Sequence, residues 1–427
     1  MSTGPEPNRR IRTSPGGYDG KNRRLRWLKI ALSVGSALLA DVGAGQAVDV
    51  PRISPAEFRQ HIVALDIVDQ AVPAAEAVLR AYVAQREGAD RAWDTIARWI
   101  SSLSPLVYHG SDPAFSQQLS LAFENGRYRW GVEVRRLEDE YFGALSVLGS
   151  AGTLNGVEAL KRSRRRVVLL RAENMPPDAP VGWDVDLLEM LAQLGIEPPG
   201  DTDLGAVLFG YDLELDTLLV QLDSIVLSRD RDAVKRYQAM QAAVEDRGES
   251  GAKAQIHELG RTLARPYAAC SAIRQLHEKT IESLLALLRS SDAALVGPEV
   301  NLRLFPFVYA DSETPAVLQR VETLHLTDSQ RDALQAIEIV FLADQAVAAR
   351  RCAKLYRLRT SRVSYESYYQ DLAVMIARGE NILPPRDHAF AFDEAVAAWK
   401  QSDLAFTGRI LDVLTPEQNK TMGIREP

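Results

Sequence analysis

The chain has 427 residues, of which 46% are hydrophobic and 25% charged, a globular balance that excludes a disordered protein; the length suits two to three domains or one elongated helical body. Its 50 Lys and Arg against 57 Asp and Glu give a net charge of −7. Its two cysteines form no Cys-x-x-Cys, no haem-attachment motif and no zinc spacing, which excludes the metal chemistries read from such patterns.

Residues 1–47 read as an export signal and leader. A basic stretch (Lys21, Arg23, Arg24, Arg26, Lys29) precedes an apolar run from Ile30 to Ala40, too short for a bilayer that needs roughly 20 residues. Small residues then offer cleavage after Ala44 or Ala47. An uncleaved anchor and a core helix are the other readings. Without the leader the chain keeps 42 basic against 54 acidic residues, a balance of −12. Such a protein is not a general nucleic-acid or anionic-membrane binder, because both partners need a basic surface. The expected location is the periplasm or the exterior, with membrane attachment only through an uncleaved leader.

Helical periodicity dominates from Ser54 onward. Residues 48–173 form an N-terminal helical domain. It opens at Ser54-Pro55-Ala56-Glu57, a capping box with Pro in the first turn, and Pro73 is expected to kink the following helix. A helix from Asp112-Pro113 is expected to break near Asn125-Gly126. Residues 174–203, rich in Pro and Gly, form a connection around one short helix, Val185 to Leu194. Residues 204–427 form a C-terminal helical domain, with long helices from Leu215 to about Val244 and from about Ala254 to Leu288, then helices at Ser329, Ser364 and about Phe392. Only Leu302 to Tyr309 reads as extended. The fold class is all-α: an elongated multi-helix bundle or helical array with room for two subdomains.

Chemistry-bearing patterns are sparse. His257-Glu258 and His277-Glu278 lack the second histidine of a zinc protease helix. With His61, His109, His325 and His388, they read as surface or satisfied helix positions. No nucleophile elbow, Walker loop or dinucleotide fingerprint is present. No catalytic residue, metal ligand or cofactor is assigned, and the chain is expected not to be an enzyme; a site assembled only in three dimensions is the alternative. Asp184, Asp186, Asp212, Glu214 and Asp216 fit charges at helix N-termini better than a catalytic pair.

Lys161 to Arg166, including Arg164, Arg165 and Arg166, is the basic block of the mature chain: a solvated helix face, or a dock for an anionic surface. Phe305, Phe307 and Tyr309 around Pro306 form either a binding lip or a loop closing a core. Cys270 and Cys352 would join in one disulfide in an oxidising compartment, or stand apart as two core thiols.

Leu326-Thr327-Asp328-Ser329-Gln330 and Leu414-Thr415-Pro416-Glu417-Gln418 both read Leu-Thr-x-x-Gln. Thr327 and Thr415 would cap helices to which Gln330 and Gln418 return the bond. The pattern resembles the Leu-Thr-x-x-Gln periplasmic stress proteins of the Spy/CpxP type. That resemblance implies an all-helical exported protein that binds unfolded or misfolded clients without ATP or metal. The function expected is an exported, non-enzymatic helical protein binding a protein partner or unfolded client, in the manner of a periplasmic holdase. The alternative is an envelope scaffold held by an uncleaved signal anchor. The sequence leaves the oligomeric state unassigned.

Overall fold

The computed structural model describes residues 50–108, 113–149, 153–171, 179–196, 202–310, 312–378 and 389–422. The expected leader at 1–47, with His109 and His388, lies outside them. The described residues form an all-α multi-helix array without strands. Its helices are α1 (Pro55–Ala64), α2 (Val72–Tyr108), α3 (Pro113–Leu148), α4 (Thr153–Leu169), α5 (Leu187–Gln193), α6 (Asp203–Gly251), α7 (Lys253–Leu287) and α8 (Ser290–Leu304). They continue with α9 (Pro306–Tyr309), α10 (Thr314–Val321), α11 (Asp328–Arg359), α12 (Arg362–Arg378), α13 (Ala389–Val413) and α14 (Pro416–Thr421). No described helix is long and apolar enough to cross a membrane.

The spine is the hairpin of α6 and α7. At 1.5 Å per residue α6 alone is about 70 Å long. One half of the hairpin encloses a core around Leu215, Leu219, Leu222, Ile273 and Leu284, and the other packs Ile256, Leu259 and Tyr267 against Tyr365 and Tyr369 of α12. α3 lies antiparallel on α6, tied by Gln117 to Gln241 (2.6 Å), Arg127 to Asp230 and Arg135 to Asp223. Tyr82, Tyr141 and Phe142 centre a third core among α1 to α4, and Phe341, Trp399 and Phe406 a fourth between α11 and α13.

Local signals explain most of the element starts. Ser54 accepts from Glu57 N–H and donates its own N–H to the Glu57 carboxylate, the capping box read from sequence. Four boundaries differ from expectation. α6 begins at Asp203 behind a Thr202 cap, twelve residues before the expected Leu215. Pro73 sits in the first turn of α2, where its missing N–H costs nothing, so no kink forms. α3 runs unbroken through Asn125-Gly126, because Gly126 makes room for α2: a Cβ there would lie 3.0 Å from the Trp93 ring. Leu302 to Tyr309 is not extended; it ends α8 and begins α9, with Pro306 at the first helical position.

Residues 179–196 of the Pro-rich stretch enter the largest core. Trp183, Val185, Leu187, Met190 and Leu191 are all buried there, and Asp186 caps α5 by accepting from Leu188 and Glu189 N–H.

Candidate binding surfaces and cleft

A cleft of about 580 Å³ opens between Ala179–Val185 and the α8–α9 junction at Leu302, Arg303 and Pro306. Its wall depends on Gly182. The backbone there has φ +81°, and a Cβ would stand 2.8 Å from Leu304 Cδ2, so only glycine fits. Val181 N–H donates to Tyr356 Oη (2.6 Å), which binds this segment to α11.

Arg274 of α7 packs beside that junction. Its guanidinium lies 4.4 Å from the Tyr356 ring centroid and 5.4 Å from that of Phe305. Nη2 reaches Leu304 O (3.4 Å) and lies 2.9 Å from Glu278 Oε1, an ion pair without hydrogen-bond alignment. Nε and Nη1 are buried without partners. Arg357 donates to the other Glu278 oxygen (2.5 Å). Desolvation lowers the Arg274 pKa below its ordinary value against the pull of Glu278. The sequence signal for Arg274 is its place on the face of Cys270, His277, Ile281 and Leu284, an otherwise inward stripe.

The lip residues are half-buried and pack inward. Phe307 lies edge-on to Phe392 (5.0 Å) and tilted to Tyr356 (5.2 Å), while Phe305 packs on the largest core and Tyr309 on the α11–α13 core. They close the core at the α8–α9 junction.

The basic block is neither a solvated face nor an anionic dock. Arg164, 4% exposed, binds Glu57 (2.8 Å), Glu138 (2.8 Å) and Pro51 O. Arg165 binds Asp216 (2.5 Å), Arg166 binds Asp186 and Asp212, and Arg162 also binds Asp212 (2.5 Å). The reason is topological: α4 lies in a trough whose walls supply five carboxylates.

Two histidines are buried and satisfied. His277 Nε2 is 3.0 Å from Trp183 O, which only accepts, so Nε2 carries the proton and Nδ1 accepts from Tyr211 Oη (3.1 Å). Burial lowers its pKa to about 4. His61 pairs with Tyr141 Oη (2.9 Å) and burial also lowers it to about 4. Ser312 donates to Asp403 (2.7 Å), but Asp403 also accepts from Glu313 and Thr314 N–H; the group anchors the start of α10. No group of His, Cys, Asp and Glu among the described residues could hold a metal. Cys270 and Cys352 are free thiols buried in different cores, so the disulfide is not formed.

The Leu-Thr-x-x-Gln motifs form two capping boxes, Thr327 with Gln330 and Thr415 with Gln418. They also meet. Gln330 Nε2 donates to Gln418 Oε1 (2.9 Å) and Val413 O (3.0 Å), and Gln418 Nε2 donates to His325 O (2.8 Å).

Outside these networks, large apolar side chains stand in helical rows on the surface. On α6, Phe209, Leu213 and Val220 are 60%, 43% and 49% exposed at spacings of four and seven residues, on the face turned away from Leu208, Leu215 and Leu219. The Lys279–Glu214 pair brings Leu285 and Leu287 of α7, also exposed, to the level of Phe209. The inward face of α6 is legible in the sequence; this exposed row is not, because its residues share a helix with that face. No family model, curated protein or solved structure matches the chain.

Proposed function

We propose that the chain is an exported, non-enzymatic helical protein that binds another macromolecule, holding unfolded protein clients in the periplasm or outside the cell. The observation that carries this reading is the exposed apolar row Phe209, Leu213 and Val220 on a helix whose opposite face is anchored in the largest core. Single exposed apolar residues are ordinary; a helix-periodic row of large ones marks a contact surface. Such a surface takes apolar segments without reading their sequence, as holding unfolded chains requires. The paired Leu-Thr-x-x-Gln caps support the reading through the resemblance to periplasmic stress proteins.

The test is light scattering from an aggregating denatured client at equimolar protein. Suppression without ATP is expected, and F209S/L213S/V220S should lose most of it while keeping the wild-type helical circular dichroism. No suppression across several clients, or undiminished suppression by the variant, rejects the proposal.

A further inference from the structure

The outer face of α11 is exposed and apolar, with charge at both ends. One side of this helix buries Leu334, Ile337, Phe341, Gln345, Cys352 and Tyr356 against the rest of the fold. The opposite side is exposed and apolar through its middle: Ile339 is 62%, Val340 44% and Val347 56% exposed, and the small side chains of Ala336 and Ala343 are exposed beside them. A helix apolar on both sides wants cover on both.

The two ends of this face carry opposite charge. Asp328 and Asp332 stand at its N-terminal end, and Arg350 and Lys354 at its C-terminal end, all exposed. Asp332, Arg350 and Lys354 make no ion pair with another described residue. Acid, apolar centre and base in that order is self-complementary under one operation, a two-fold axis perpendicular to the helix near Ala343. An antiparallel second copy then sets Ile339 against Val347, brings Asp332 level with Lys354 and within reach of Arg350, and repeats both contacts by symmetry. The two alanines let the backbones approach closely. Parallel pairing instead stacks Asp332 on Asp332 and Arg350 on Arg350, which repulsion opposes. An unfolded client offers no such fixed charge order.

We infer that the protein forms an antiparallel two-fold dimer through the outer faces of α11. This is independent of client binding on α6. The experiment is sedimentation equilibrium of the purified chain over a roughly hundredfold concentration range, where dimerisation appears as a shift toward twice the monomer mass of 47.2 kDa. Asp332→Lys and Lys354→Asp should each weaken the dimer at least about tenfold by placing like charges across the axis, and the double exchange D332K/K354D should restore it. Ile339→Lys should leave a monomer with unchanged helical content. A monomer at every concentration overturns the inference. So does a dimer indifferent to these exchanges, or a monomeric protein whose α11 variants lose client binding.

Discussion

Arg274 shows how much a single buried residue commits the fold. It is 2% exposed, stacked between Tyr356 and Phe305, and ion-paired to a Glu278 shared with Arg357. Removing it leaves a buried carboxylate served only by half-exposed Arg357. Arg274→Ala should therefore lower the unfolding free energy by about 3–5 kcal/mol in urea titrations. R274M/E278M, which removes both charges and keeps the volume, should cost less than R274A alone. His277 and His61 set a second expectation. Each has a folded pKa of about 4 against an ordinary value of about 6.5, so the unfolded chain takes up protons first as pH falls. Their contribution is present at neutral pH and is lost between about pH 6.5 and 4, at up to about 1.4 kcal/mol per pH unit for each histidine. Glu124, raised by burial to about 7, acts in the opposite direction over part of that window. Two histidines against one carboxyl leave net acid destabilisation. The urea midpoint should fall from pH 7 to pH 5, and less steeply in H277Q.

Among elements, the paired caps of α11 and α14 make the most specific unit. Thr415→Ala should cost about 1 kcal/mol, the ordinary value of a lost N-cap. Gln330 and Gln418 bond each other across a separation of 88 residues, so their alanine variants should not add. A double-mutant cycle should give a coupling of about 0.5–1.5 kcal/mol; additivity would make them two separate caps. These starts were legible because a capping box lies within four residues. The ends of α7 were nearly so, since a long apolar row at helical spacing decides them. Leu302 to Tyr309 was not: a short apolar run containing Pro fits an edge strand or a helix start equally well, and only packing of Phe305 and Phe307 chose the helix.

At the scale of the molecule, α6 and α7 connect the N-terminal helices to the C-terminal ones, and the largest core draws on α3 to α8 together with Val50. Hydrogen exchange should therefore be slowest at Leu215–Leu222 and Ile273–Leu284; faster exchange there than in α14 would contradict the spine. The sequence by itself determined the helical class, the capping boxes, the span of α7 and the acidic balance. All of these rest on composition or on interactions within a few residues. Which charges face inward was decided only by tertiary structure. The carboxylates that absorb Arg164, Arg165 and Arg166 stand 20 to 107 residues away, and no local pattern announces them. The candidate contact surfaces were hidden for a related reason. Phe209 and Ile339 lie on helices with an apolar inner face, and sequence alone cannot tell which apolar side chains the fold will cover.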